Sequence, residues 1–484
     1  MTKLLRDAVQ RGALKPGELL PSSRLLAQAL GVARGTVVEA FSQLLAEGVL
    51  EANLGDGTRV ASSLPEIPAT ERRSKGPATK ATITLSDRAK KFVDVANTLT
   101  PLPALPFAVS VPVGMAAPED VWRRLGNKVR AKGAGAPASY DDPQGALVLR
   151  TAIAEYVRRS RSVHCSPEQV IITSGTQQGL YLCSQVLLED GESTWVEDPV
   201  YRGLAAILES IDNRHKMVPV PVDEEGMDVA AGMRMADNAK AVFVTPSHQY
   251  PLGMPMSMAR RNALLAWARR KNAWIVEDDY DSELRYAGHP FPAMQGLAPE
   301  QVIYLGTFSK ILFPSLRIGY AIVPPGLEKA FIGARILMDR HPPTADQHVL
   351  ATFMEEGHLE RHIRRIRNVY AERRQQMMEL LQRHIGSNLA WLQPSDQGAH
   401  ISLWLDTRID DIAVARLALK KGVGVRAISP MFHSGDGRPG LVLGLGDFPY
   451  AQTEAAVKVL AGVIHSVAGE ISTAAAPPSG RRRR

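Results

Sequence analysis

Five short, unbroken apolar runs restrict the fold more than any other feature: Val170-Ile171-Ile172, Trp195-Val196, Ala241-Val242-Phe243-Val244, Trp274-Ile275-Val276 and Val302-Ile303-Tyr304-Leu305. A strand with one wet face alternates apolar and polar residues. These runs do not alternate, so both of their faces must be buried, as in a mostly parallel sheet covered by helices on each side. Longer helical patterns separate several of the runs. Each run ends in polar residues, at the strand end where α/β proteins place ligands. Beyond Pro342 helical patterns dominate, and the runs His400 to Leu405 and Leu441 to Leu445 predict a second, smaller α/β lobe.

The chain of 484 residues is too long for one ordinary core. Its hydrophobic fraction of 45% and charged fraction of 22% are those of a globular protein in water. No apolar stretch is long enough to span a bilayer, and Met1 to Gln10 lacks the order of a secretory signal, so no membrane partner and a cytoplasmic location are expected. Cys165 and Cys183 offer neither a disulfide framework nor a metal-ligand spacing; both are expected to be inert thiols, and no metal is expected. A net charge of +7 permits binding to a polyanion without requiring it.

The first sixty or so residues read as helix, helix, helix, hairpin, with Gly55, Asp56 and Gly57 breaking the two extended runs between Val49 and Ala61. The expected organisation is a small N-terminal domain over 1–61, a flexible linker over 62–105, a large domain over 106–470 and a disordered basic tail over 471–484. The four arginines of the tail either contact phosphates or stay solvated.

Leu20-Pro21-Ser22-Ser23-Arg24 opens a helix whose apolar positions Leu25, Leu26, Ala29 and Leu30 are expected on its buried face. Gly31-Val32 makes a turn, and the next helix begins near Ala33-Arg34-Gly35-Thr36. A tight helix-turn-helix presents the first residues of its second helix, here Arg34, Gly35 and Thr36, to the DNA major groove. An ordinary helical hairpin with solvated arginines is the alternative.

In the large domain, Gly306-Thr307-Phe308-Ser309-Lys310 follows the Val302 run, with Arg317 seven residues on. A lysine at the end of a buried strand can form a Schiff base where its neutral amine is favoured, and Ser309 and Arg317 offer a phosphate clamp; a surface lysine is the alternative. Asp278 and Tyr280, after Trp274-Ile275-Val276-Glu277, suit the nitrogen and phenolic oxygen of a pyridine ring, although clustered acids also bind magnesium. Gly175, Thr176 and Gln177 form a strand-to-helix turn able to hold phosphate, and Tyr201 either stacks on a flat ring or packs.

The string from Gly17-Glu18-Leu19-Leu20-Pro21-Ser22-Ser23-Arg24 through Leu30-Gly31-Val32-Ala33-Arg34-Gly35-Thr36-Val37 to Glu47-Gly48 resembles the GntR-type winged helix-turn-helix. That resemblance implies promoter DNA as partner and contacts from Arg24, Arg34, Thr36 and the wing-tip Gly55. Ala33 departs from the usual Ser or Thr, at the expense of one phosphate contact. The later segments resemble fold type I pyridoxal 5'-phosphate (PLP) enzymes of the class I aminotransferase group. The implied roles are Lys310 as Schiff-base lysine, Asp278 on the pyridine nitrogen, Tyr280 on the phenolic oxygen, and Thr176, Ser309 and Arg317 on the phosphate. Tyr140 matches a tyrosine that reaches the neighbouring subunit's cofactor, which implies a homodimer.

Two departures separate the chain from typical aminotransferases. Tyr250 stands where an asparagine serves the phenolic oxygen, and Gly440 to Leu445 carries no arginine for a substrate carboxylate. With Pro246-Ser247-His248-Gln249-x-Pro251-Leu252-Gly253, these departures resemble the MocR/GabR subgroup of GntR regulators. The resemblance implies a PLP-dependent regulator that senses a small amine or amino acid, or PLP itself, and repositions its DNA-binding heads. Half-reactions of transamination are compatible with that role. A carboxylate effector would pair with Arg202 or Arg426, unless these serve structural pairs. The rival expectation is an active aminotransferase with an accessory DNA-binding module.

Overall fold

The computed structural model describes residues 1–53, 56–63, 84–109, 111, 113, 118–133, 139–211, 216–286, 288–435 and 437–474. The chain divides into two compact units, Met1–Thr84 and Leu85–Arg484.

The N-terminal unit contains α1 (Thr2–Gln10), α2 (Ser23–Leu30) and α3 (Arg34–Ala46), followed by the antiparallel pair β1 (Leu50–Asn53) and β2 (Gly57–Val60). Its core joins Val9, Ala27, Val37, Phe41, Leu44 and Val60. Ser22 starts α2 by accepting the Leu25 amide at 3.3 Å, and Gly31 ends it in the left-handed conformation at φ 65°. Only Ala27 of α2 is buried, with Leu26 partly so; Leu25, Ala29 and Leu30 are exposed, contrary to expectation. A helix of two turns lying along α3 has room for only one narrow buried stripe, and that stripe runs through Ala27.

In the C-terminal unit the strands are β3 (Val170–Thr173), β4 (Ser193–Asp198), β5 (Lys216–Asp223), β6 (Gly226–Met227), β7 (Ala241–Val244), β8 (Trp274–Asp279), β9 (Val302–Thr307) and β10 (Gly319–Ile322). They form one sheet in the order β3-β10-β9-β8-β7-β4-β5-β6. Pairing is parallel from β5 through β4, β7 and β8 to β9, and β10 runs antiparallel between β9 and β3. Successive residues point to opposite helical layers: Ala241 and Phe243 join one core cluster, Val242 and Val244 the other. This two-sided burial is why the runs are apolar throughout.

The helices of this unit are α4 (Asp87–Thr98), α5 (Glu119–Ala131), α6 (Leu147–Arg161), α7 (Thr176–Leu187), α8 (Arg202–Ile211), α9 (Val229–Ala236), α10 (Met258–Lys271), α11 (Glu328–Asp339), α12 (Ala345–Glu355) and α13 (His358–His384). A smaller antiparallel sheet, order β11-β12-β14-β13, follows: β11 (Ala390–Leu392), β12 (His400–Leu405), β13 (Arg426–Ala427) and β14 (Gly440–Gly444), with α14 (Asp411–Lys420) and α15 (Tyr450–Ala474). It is the second lobe expected from the sequence.

The flexible linker expected over 62–105 is corrected at its C-terminal half. Ser86 caps α4 by accepting the Ala89 amide, Lys91 Nζ donates to the Glu209 carbonyl of α8 at 2.7 Å, and the Pro106 carbonyl accepts the Gly424 amide. The large unit therefore begins at Leu85, before the expected 106. No residue of α4 is buried, and its charged residues and the polar stretch before it make it read as linker. Residues 64–83 lie outside the described residues. At the other end α15 continues to Ala474, so the tail does not begin at 471; the arginines 481–484 lie outside the described residues. Among the described residues no helix is long and apolar enough to cross a membrane.

Candidate functional site

The predicted cofactor residues gather at the C-terminal ends of the parallel strands. β9 ends at Thr307 and delivers Ser309 and Lys310; β8 delivers Asp278 and then Tyr280; β4 leads through Asp198 to Tyr201; β3 leads into Gly175 and the first turn of α7. A cavity lies here, lined among others by Glu197, Tyr201, Phe243, Thr245, Tyr250 and Asp278.

Burial holds the Lys310 ammonium below the ordinary lysine range, opposed by attraction to Asp281 and Asp278 and assisted by repulsion from Arg317 and Arg426. A lysine that surrenders its proton readily is a usable nucleophile. The Asp278 carboxyl is pushed up to about 8 by burial and by Asp279, Asp281 and Glu197. Its Oδ1 is buried without a hydrogen-bond partner. A carboxylate in that position is incomplete until a cation or a donor meets it.

The neighbouring acids have other work. Asp279 accepts from Arg161 Nε at 2.8 Å and from the Tyr304 hydroxyl at 2.5 Å, while Glu277 accepts the Met294 and Gln295 amides. Alternation along β8 turns these two away from Asp278, so the three consecutive acids do not form a metal cluster.

Gly175, at φ 78°, precedes α7, whose N-terminus has no side-chain cap. A Cβ on Gly175 would lie 3.0 Å from Arg317 Nη2, and that same atom donates to the Ser174 carbonyl at 2.5 Å. Ser309 Oγ bonds Thr307 Oγ1 at 3.1 Å. An uncapped helix N-terminus beside an exposed guanidinium and a serine hydroxyl is a phosphate-shaped arrangement. Thr176 and Gln177 are the first residues of that helix.

Tyr201 lines the cavity, donates to Gln177 Oε1 at 3.0 Å and stands edge-on to Tyr250 at 5.7 Å. Tyr250 also meets Tyr280 edge-on at 5.9 Å, and burial raises its hydroxyl to about 12. Tyr140 is not brought to this cavity within its own chain; it is 81% exposed and stands against His341. Arg426 acts electrostatically on Lys310, Tyr201 and Tyr250. It sits on β13 opposite Val442 of β14, so a cation stands beside the strand that lacks one. Arg202 is the first residue of α8, next to Tyr201.

Sequence reasoning did not single out Glu197, Gln249, Asp281 or His400. Glu197 is buried at the cavity wall, accepts from Thr245 Oγ1 at 2.5 Å and is raised to about 7 by burial. Its signal was present in Glu197-Asp198-Pro199. Cys183 is buried and Cys165 is raised to about 11 by burial, which suits inert thiols.

In the N-terminal unit, Arg24 in the first turn of α2 and Arg34, Gly35 and Thr36 in the first turn of α3 are all exposed, and nothing lies within 4 Å of a Cβ placed on Gly35. α3 starts at Ala33 without a side-chain cap. Gly55 lies outside the described residues.

Residues 2–60 match the family of bacterial regulatory proteins of gntR type, and residues 109–440 match aminotransferase class I and II. The probable rhizopine catabolism regulatory protein MocR of Rhizobium meliloti is 38% identical over 441 residues, covering 91% of this chain and 88% of its own. The chain belongs to the MocR-type subgroup of GntR regulators. A second member, the pyridoxine biosynthesis transcriptional regulator PdxR of Corynebacterium glutamicum, is 34% identical, with 92% and 91% covered. The large unit is similar in structure to LysN, the α-aminoadipate aminotransferase of Thermus thermophilus, at TM-score 0.72 and 26% identity over 80% of this chain and 98% of that one. LysN was solved with N-(5'-phosphopyridoxyl)-L-leucine. Both expected folds, the winged helix-turn-helix and the fold type I transferase, are therefore present.

Proposed function

We propose that this MocR-type protein is a promoter-binding homodimer whose large unit holds PLP and senses a small amine, an amino acid or PLP itself. The observation that carries the reading is the cavity-lining Asp278, whose buried Oδ1 lacks a partner, within electrostatic reach of Lys310 and its loosened proton. Lys310 would hold the cofactor's aldehyde carbon, Asp278 its ring nitrogen and Tyr280 its phenolic oxygen, with Tyr201 against its ring. Gly175, Thr176, Gln177, Ser309 and Arg317 would hold its phosphate. When bound, the cofactor supplies reversible bonding to amines.

An effector carboxylate would pair with Arg426, with Arg202 as the second candidate. A ligand shifts an equilibrium only through different affinities for its two states. Any ligand that changes the charge on Lys310 changes its attraction to Asp278 and Asp281 and its repulsion from Arg317 and Arg426. That difference is the free energy available to reposition the heads. Tyr140 and the 90% exposed Leu337 of α11 supply the surface a second copy would cover.

Purified protein given PLP should turn yellow and bind its promoter in a salt-sensitive way, and Lys310→Ala should stay colourless and ignore effector amines. A Lys310→Ala protein with the wild-type absorbance band and effector response would sink the reading. The second reading, an active aminotransferase, draws support from Arg426 beside Val442. Sustained turnover with amino donors and keto acids, beyond a single half-reaction, would establish it.

A further inference from the structure

His248 contacts Asp281 and Tyr280 and is not used in the assignments above. Its Nδ1 is 3.0 and 3.1 Å from the two carboxylate oxygens of Asp281 and 3.0 Å from the Tyr280 hydroxyl. Its Nε2 is buried without a partner. The turn before β12 closes on it: Gln397 Nε2 donates to the Ser247 carbonyl at 2.6 Å and the Ala399 amide to Asp281 Oδ2 at 3.1 Å. Gly398, at φ 89°, leaves the space for the ring, since a Cβ there would fall 1.9 Å from His248 Cε1. Donor atoms of His248, Asp281 and His400 all lie within 4.8 Å of one another, and His400 Nε2 is held by the Pro251 carbonyl at 2.9 Å.

We propose that His248 and Asp281 are positioning residues that fix Tyr280 as a hydrogen-bond donor toward a ligand in the cavity lined by Asp278 and Tyr250. An ionised carboxylate only accepts, so the imidazole proton that faces Asp281 sits on Nδ1. Burial opposes the charge on Asp281, but His248 and His400 hold its carboxyl below the ordinary range. An Nδ1 that carries a proton has no lone pair for the Tyr280 hydroxyl. Tyr280 Oη therefore meets that N–H as an acceptor, and its own proton turns elsewhere. The opposite tautomer would set a bare nitrogen against two carboxylate oxygens and bury an unsatisfied N–H on Nε2. Tyr280 is edge-on to Tyr250, which lines the cavity together with Asp278, two residues before Tyr280 in the chain.

The inference rests on reading the cavity as a PLP site. A donor to the cofactor's phenolic oxygen stabilises that oxygen without its proton. A polarised Tyr280 is the stronger donor, and losing His248 weakens it. The other ionisable groups near Lys310 and Tyr280 are Asp278, Glu197, Tyr250, Arg317, Arg426 and His400, and all stay in place in the comparison.

The experiment titrates the visible absorbance of PLP-loaded protein against pH and records the ring-nitrogen spectrum of unloaded protein labelled with 15N-histidine. In His248→Phe the absorbance midpoint should rise by about one pH unit, the size of one lost hydrogen bond. In His248→Asn, whose amide replaces the Nδ1 donor, it should stay near wild type. The unloaded wild type should show a ring protonated at Nδ1 that is missing from His248→Asn. An unmoved midpoint in His248→Phe, or a His248 ring protonated at Nε2 alone, overturns the proposal. A protein that never becomes coloured overturns the cofactor reading, and the unloaded spectrum then still decides where the His248 proton lies.

Discussion

At the scale of single residues, Glu277, Asp278 and Asp279 have one kind of side chain and two kinds of environment. Glu277 and Asp279 are satisfied by backbone amides, Arg161 and Tyr304, whereas Asp278 keeps one oxygen without a partner. The sign of its pH effect follows. The Asp278 carboxyl moves from an ordinary value of 3.8 to about 8 in the folded chain, so between those values the folded state binds the extra proton. Stability must then fall as pH rises through that window. Unloaded Asp278→Asn protein should lose less thermal stability between about pH 4 and pH 8 than wild type. Glu197 and Glu277, both raised to about 7, leave a residual slope of the same sign. Melting temperatures across that range test this, and equal slopes in both proteins would count against the buried Asp278 described here.

At the scale of elements, the β3-to-α7 turn shows how a short sequence becomes a site. Gly175 permits both the positive φ and the close approach of Arg317. Gly175→Ala has to displace the guanidinium or distort the turn, and it should weaken PLP binding by about tenfold or more, the equivalent of roughly 1.4 kcal/mol. Titration of the absorbance band measures this directly, and an unchanged affinity would remove the turn from the cofactor site. The element missed in the sequence, α4, teaches a related lesson. Its only strong signals are Ser86 at the cap and Asp87 in the first turn, and its residues stay at the surface. Its apolar positions Ala89, Phe92, Val93 and Ala96 stand at helical spacing, but Phe92 and Val93 are exposed and charged residues are interleaved with them, so the stretch reads as linker. β10 was missed as well: it is four residues long and follows directly on the Arg317 segment.

At the scale of the whole molecule, the proposed function assigns recognition to one unit and sensing to the other. The net charge of +7 is modest, so affinity for DNA depends on where cations stand, and Arg24 at the start of α2 and Arg34 at the start of α3 are exposed. Arg34→Ala should weaken promoter binding and, where the lost contact is to phosphate, reduce the salt slope by about one. Fluorescence anisotropy across a salt series tests it, with absorbance of the bound cofactor unchanged as the control. Wild-type affinity and slope in that variant would move the DNA-facing surface away from the start of α3.

Much of this protein was legible in the chain. The unbroken apolar runs pointed to a sheet buried on both faces, because they are too short for buried helices and every residue in them must be hidden. The motif order placed Lys310, Asp278, Tyr201 and Gly175 at neighbouring strand ends. Tertiary structure alone decided what depends on approach between distant segments. It set Arg426 of β13 beside Val442 and drew His248, Asp281 and the turn at Gly398 together beneath Tyr280. It also withheld a partner from Asp278. Burial and proton affinity are properties of the surroundings, and a side chain's surroundings include residues from tens to more than a hundred positions away, of which local sequence carries no record.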